Sequence, residues 1–124
     1  MIRKWFMLGI AALLLTGAAT AGEKDFLHCF YFTPLEGATS ADWKAFFAAT
    51  DALEGKATGL KHVWYGKLNR PMESEPPRVW GVCMAFGKAD DFRSYASSPV
   101  HATWENAYFK VRQPGTTTTD FTGQ

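Results

Sequence analysis

The chain has 124 residues, with 13 basic and 12 acidic side chains, a formal charge of +1, 47% hydrophobic and 15% aromatic content, and two cysteines. That length is one domain, and without a basic stripe or a strong basic excess it lacks the electrostatic footprint of a nucleic-acid binder. The aromatic content can supply a core. Even so, a domain this small buries a modest fraction of its surface, a limit that an oligomer relieves.

The chain starts with the basic Met1-Ile2-Arg3-Lys4, continues through the apolar run Trp5 to Leu15, and reaches Ala19-Thr20-Ala21 ahead of Gly22. This is the three-part layout of a secretory signal peptide, residues 1–21, with an A-x-A cleavage site. The apolar run falls short of the ~20 residues that span a bilayer. The expected product is therefore a secreted or periplasmic protein, residues 22–124, with no stable membrane insertion after cleavage. Loss of Arg3 and Lys4 takes its formal charge to −1.

The first predicted strand is Asp25 to Thr33. Alternation places Phe26, His28, Phe30 and Phe32 on one face and Leu27, Cys29 and Tyr31 on the other. Both faces are apolar, so both need cover. His28 is a polar group among phenylalanines and requires a hydrogen-bond partner, since burial without one costs about 1–3 kcal/mol. A helix follows, capped by Thr39 or Ser40, with Asp42 in its first turn, an inner stripe of Trp43, Phe46, Phe47, Thr50 and Leu53, and Gly55 as its stop. Leu60 to Asn69 reads as a second strand in which Leu60, His62 and Trp64 alternate against Lys61, Val63 and Tyr65, with Gly66 marking a bulge or close approach. Arg70 to Pro77 reads as a loop.

Arg78 to Phe86 is the third strand. Trp80, Val82, Met84 and Phe86 share one face; the small Gly81, Cys83 and Ala85 on the other would let a further layer come close. Cys29 and Cys83 both fall in strands. In an oxidising compartment they could pair or stay as buried thiols, and strand order decides which. Ala89 to Tyr95 forms about two helical turns. Ser98 then caps a second helical segment, with Pro99 at its first position and His101 in its first turn. The helix terminus disfavours imidazolium, so His101 should be neutral. Trp104 and Tyr108 continue the apolar spacing, Gln113-Pro114-Gly115 breaks it, and Thr116 to Thr122 reads as a closing strand.

The order β-α-β-β-α-β is the ferredoxin-like α+β plan. Two helices roof one face of a four-stranded sheet, and a second copy packed sheet against sheet would cover the other. The chain resembles the stress-responsive dimeric α/β-barrel (Dabb) family across Phe26 to Phe121. The resemblance rests on the His28 strand, Gly59-Leu60, Gly66, Phe86, Tyr95, Pro99-x-His101 and Asp120-Phe121. It implies a homodimeric α/β barrel with a pocket between sheet and helices. It also implies cofactor-independent cyclase-type chemistry with His101 as the helix-start histidine and His28 as a pocket histidine. The family's helix-one tyrosine has no counterpart, since Thr50 or a neighbour stands there, and Ser98 replaces a histidine common before the proline.

Three functions follow. The first is a dimer binding a small apolar or aromatic ligand in a pocket lined by Phe30, Phe47, Trp80 and Tyr95, with His28 and His101 as polar points. The second is an enzyme with His101 as general base and His28 or Tyr95 holding an oxyanion. The third, by analogy of fold alone, is a haem-binding or monooxygenase-like barrel. No close metal-ligand spacing is present, and neither metal nor cofactor is expected for the first two.

Overall fold

The computed structural model describes residues 24–124. The expected leader, 1–21, lies outside these residues. The elements are β1 (Phe26–Phe32), α1 (Ser40–Asp51), α2 (Leu53–Lys56), β2 (Leu60–Met72), β3 (Arg78–Phe86), α3 (Ala89–Ala96), α4 (Pro99–Tyr108) and β4 (Thr117–Thr122). The four strands form one antiparallel sheet in the order β2-β3-β1-β4. This is the ferredoxin-like arrangement, with the first predicted helix divided into α1 and α2 and the second helical region in the two segments expected, α3 and α4. Among the described residues, no helix is long and apolar enough to cross a membrane.

The alternation in β1 and β3 sets the layers. Phe30, Phe32, Val82, Met84 and Phe86 face the helices and are buried with Phe46, Leu53, Trp104 and Tyr108 in one core. Register puts Phe30 opposite Val82 and Phe32 opposite Trp80. α1 begins on a reciprocal cap, in which the Asp42 backbone N–H donates to Thr39 Oγ1 and the Thr39 N–H donates to the Asp42 carboxylate. α1 and α4 are joined through Thr50. Its hydroxyl donates to the Phe46 carbonyl at 2.7 Å and accepts from Trp104 Nε1–H at 3.0 Å, so the indole donor is satisfied inside the core.

On the opposite face Cys29 and Cys83 lie directly across from each other and form a disulfide between β1 and β3. That resolves the choice left open by the sequence, because β1 and β3 are neighbours and the two residues share a register position. The same face carries Leu27, Tyr31, Trp64 and Phe121, and both Trp64 and Phe121 are about half exposed.

Several local expectations fail for identifiable reasons. In β2 a register shift between Leu60 and His62 changes the alternation, so Leu60, Val63 and Tyr65 pack toward the core while His62 and Trp64 turn away. This irregularity is at Lys61 and a second lies between Lys67 and Met72, whereas Gly66 pairs regularly with Gly81. β2 runs on to Met72, beyond the predicted start of the loop. α1 ends at Asp51, and Gly55 falls inside α2 rather than stopping the helix. Gly81 does not admit another layer, because the Tyr31 and Leu68 side chains lie across it, 3.0 and 3.1 Å from where a Cβ would stand. Gly59 is required: its φ is +80° and the Asp91 side chain occupies the position of a Cβ.

Candidate functional site

The site is built from the start of α4 and the β1–β4 edge of the sheet. Ser98 is the N-cap, accepting from the His101 backbone N–H at 3.2 Å, and Pro99 occupies the first turn. This fixes His101 one residue past the turn's second position, facing the sheet side of α4. Its ring lies edge-on to Tyr95 with centroids 5.0 Å apart and stacks near Trp104 at 5.9 Å. Its Nδ1 is 2.9 Å from the Glu105 carboxylate one helical turn on.

His28 reaches the same place from β1. It packs on Phe92 at 4.5 Å and Phe30 at 5.5 Å. The partner its position demands is Asp120, directly opposite on β4, whose Oδ1 is 2.5 Å from His28 Nδ1. An ionised carboxylate only accepts, so in both histidines the paired Nδ1 carries the proton and Nε2 is the unpaired nitrogen, an acceptor when the ring is neutral.

His28 and His101 line one cavity of about 200 Å³ between α4 and the β1–β4 edge. Phe30, Trp104, Tyr108 and Phe109 provide aromatic walls, and Glu105, Arg112, Thr116 and Thr118 provide polar ones. Burial pushes the His101 pKa below the ordinary histidine value, outweighing the Glu105 carboxylate that raises it; nearby His28 lowers it further. The ring is thus neutral near pH 7, as expected, but desolvation is the leading cause rather than the helix terminus. Burial likewise raises the Tyr108 pKa, against a hydrogen bond with Thr116 at 2.8 Å and the positive charges of Arg112 and Arg78. Tyr95 is buried, its pKa is raised chiefly by desolvation, and its hydroxyl has no hydrogen-bond partner among the described residues.

Of the residues expected to line a pocket, Phe30 does so together with the two histidines. Phe47 and Trp80 do not. They pack 5.8 Å apart with Trp43 and Tyr65 at the other end of β1, partly buried against the core. They share the helix-facing side of the sheet with Phe30, but alternation gives only the face and not the position across it. Tyr95 lies behind His101 and lines a neighbouring cleft with Ser98, Val100, Asp91 and Lys56. His62 is exposed and pairs with Glu54 at 2.8 Å. Among the described residues no three His, Cys, Asp or Glu side chains are placed to hold a metal ion.

Glu105, Tyr108, Arg112 and Asp120 complete the site and were not singled out from the sequence as site residues. The i,i+4 spacing of His101 and Glu105 was a usable signal. The pairing of Asp120 with His28 was not, because it depends on β4 lying beside β1.

No family model matches the sequence, and no curated protein matches it. Solved structures do. A Dabb-family protein with a ferredoxin-like fold from Mesorhizobium loti superposes with a TM-score of 0.65 at 16% identity, covering 82% of this chain and 99% of that one. A dimeric ferredoxin-like protein of unknown function from Bacteroides fragilis gives 0.63 at 17%, covering 80% and 96%. Hydroxynitrile lyase from Passiflora edulis gives 0.69 at 12%, covering 82% and 95%. The likeness is one of fold: the chain has the ferredoxin-like α+β architecture of the Dabb-type dimeric barrels.

Proposed function

We propose that this chain is an exported, Dabb-type homodimer that binds a small aromatic or apolar molecule in the cavity between α4 and the β1–β4 edge. In this reading His28 and His101 hold the molecule's polar group. The observation that carries it is the convergence of two histidines from opposite ends of the chain on one aromatic-walled cavity, each with Nδ1 engaged by its own carboxylate and Nε2 left over. The aromatic wall supplies a surface for a ring, and the polar side chains around it supply fixed points that can orient one. A volume of about 200 Å³ is of the order of the ~150 Å³ that accommodates benzene, so a single ring is the size of group that fills this hollow.

The homodimer is supported by the apolar face bearing Trp64, Phe121, Leu27 and Tyr31, and by the dimeric state named for the Bacteroides fragilis neighbour. Export rests on the sequence of residues 1–21, and the N-terminus of protein recovered outside the cytoplasm tests it: Gly22 is expected, and Met1 would contradict it.

Ligand binding is tested by native mass spectrometry with thermal melting against single-ring and short acyl compounds. A dimer is expected, with a bound compound raising Tm by roughly 10 °C at 100-fold excess over Kd. A monomer that no compound stabilises would contradict the proposal.

A catalytic reading has one observation in its favour. His101 is neutral, partly desolvated and oriented by Glu105, which is the preparation a general base needs. Comparing His101→Ala with wild type on β-keto substrates tests it: loss of turnover supports the base, and equal rates remove it.

A further inference from the structure

The cavity has two unlike ends. At one, both carboxylates are matched to histidines, Asp120 to His28 and Glu105 to His101. Along β4 the residues on the same face are Asp120, Thr118 and Thr116, so the wall runs roughly 13 Å from the histidines toward Thr116. α4 runs beside it, from His101 through Glu105 and Tyr108 to Arg112 just past the helix.

Arg112 marks the far end. Its guanidinium lies over the Tyr108 and Phe109 rings, 5.0 and 4.6 Å from their centroids. Among the described residues no carboxylate comes within ion-pair distance of it, and its Nε is buried without an acceptor. These cation–π contacts engage the flat face of the guanidinium and leave its in-plane N–H fork without the anion it is shaped to bind. Thr116 and Thr118 add hydroxyls at the same end, although Thr116 is shared with the Tyr108 hydroxyl.

We propose that the cavity is selective for a monocyclic carboxylate: the carboxylate at Arg112, the ring against Phe30, Trp104 and Tyr108, and a hydroxyl or carbonyl at the opposite end between His28 and His101. This rests on the ligand-binding role proposed above and names its ligand class. The preference for an anion is local: among the described residues the Arg112 guanidinium has no carboxylate within ion-pair distance, while Glu105 and Asp120 lie at the other end, hydrogen-bonded to the histidines. The hollow is about the size of one ring, and its two polar ends call for polar groups at both ends of that ring.

The test uses 4-hydroxyphenylacetate and its neutral near-isostere 4-hydroxyphenylacetamide, titrated calorimetrically into the full dimer. The acid should bind at least about tenfold more tightly than the amide, because the guanidinium meets a charge in one case and a dipole in the other. Raising the salt concentration should weaken the acid and leave the amide nearly unchanged. Arg112→Gln should bring the two affinities together by weakening the acid far more than the amide, and Arg112→Lys should retain part of the preference.

If wild-type protein binds both compounds equally, or if the preference survives in Arg112→Gln, the carboxylate assignment is wrong while the cavity remains a binding site. If wild-type protein binds neither compound, the assignment and the ligand-binding role fall together. The wild-type comparison and its salt dependence decide the matter even if Arg112→Gln does not fold.

Discussion

The two faces of the sheet have similar residues and different fates. Under the helices, Phe32, Phe46 and Phe86 are completely buried. On the other face, Trp64 is 51% and Phe121 is 53% exposed, and the disulfide lies among them. The covered face is complete within one chain. The other has a sheet's apolar payload without a layer to bury it, which is the physical case for a second copy. The cavity lies on the covered face, at the edge where β4 contributes threonines and Asp120 in place of large apolar side chains. The hollow proposed as the binding site is thus the place where the covered face stops being a packed core.

Four substitutions or conditions would sharpen or break that contrast. Phe46→Ala should cost the most, about 3–5 kcal/mol, because it opens a cavity in the fully buried layer joining α1, α4 and the sheet. Denaturant unfolding measures it, and a loss under 1 kcal/mol would mean that the covered face is not a packed core. Replacing Cys29 and Cys83 together with Ser should cost about 2–4 kcal/mol, since the bridge closes a sequence separation of 54 residues. Melting under non-reducing conditions reads the loss.

Trp64→Asp should behave differently on the two sides of the contrast. An exposed position changes the stability of the single chain by no more than about 0.5 kcal/mol, whereas losing an aromatic anchor from an interface typically costs at least ~2 kcal/mol of association. Sedimentation should therefore show monomer from a chain that is still folded; an intact dimer would mean that this face is not the interface. The smallest effect concerns pH. Because folding lowers the His101 pKa, the unfolded chain binds its proton more readily. This contribution is absent above pH 6.5 and becomes destabilising as pH falls below it toward the folded value. His101→Gln should flatten that part of the stability–pH curve relative to wild type.

Much of the fold was legible because β1 and β3 alternate cleanly and the stripe Trp43, Phe46, Thr50 and Leu53 keeps helical spacing. The faces of β2 were not legible because the irregular position at Lys61 exchanges inside and outside from His62 to Lys67, which composition does not reveal. The site was legible as two residues, His28 and His101. Their shared cavity follows from the sheet order, and so does the pairing of His28 with Asp120. Phe47 and Trp80 were placed with them because they lie on the same face, and the structure sets them at the far end of β1, against the core. Arg112 was missed because it lies beyond the end of α4, where no periodic pattern singles it out.

The histidines give the most direct test. The chain has three, and one of them, His62, lies exposed on β2 away from the cavity. With 15N-labelled histidine, adding 4-hydroxyphenylacetate should shift the Nε2 signals of His28 and His101 together and leave His62 in place. Movement of His62 alone, or of all three equally, would contradict a site shared by the strand histidine and the helix histidine.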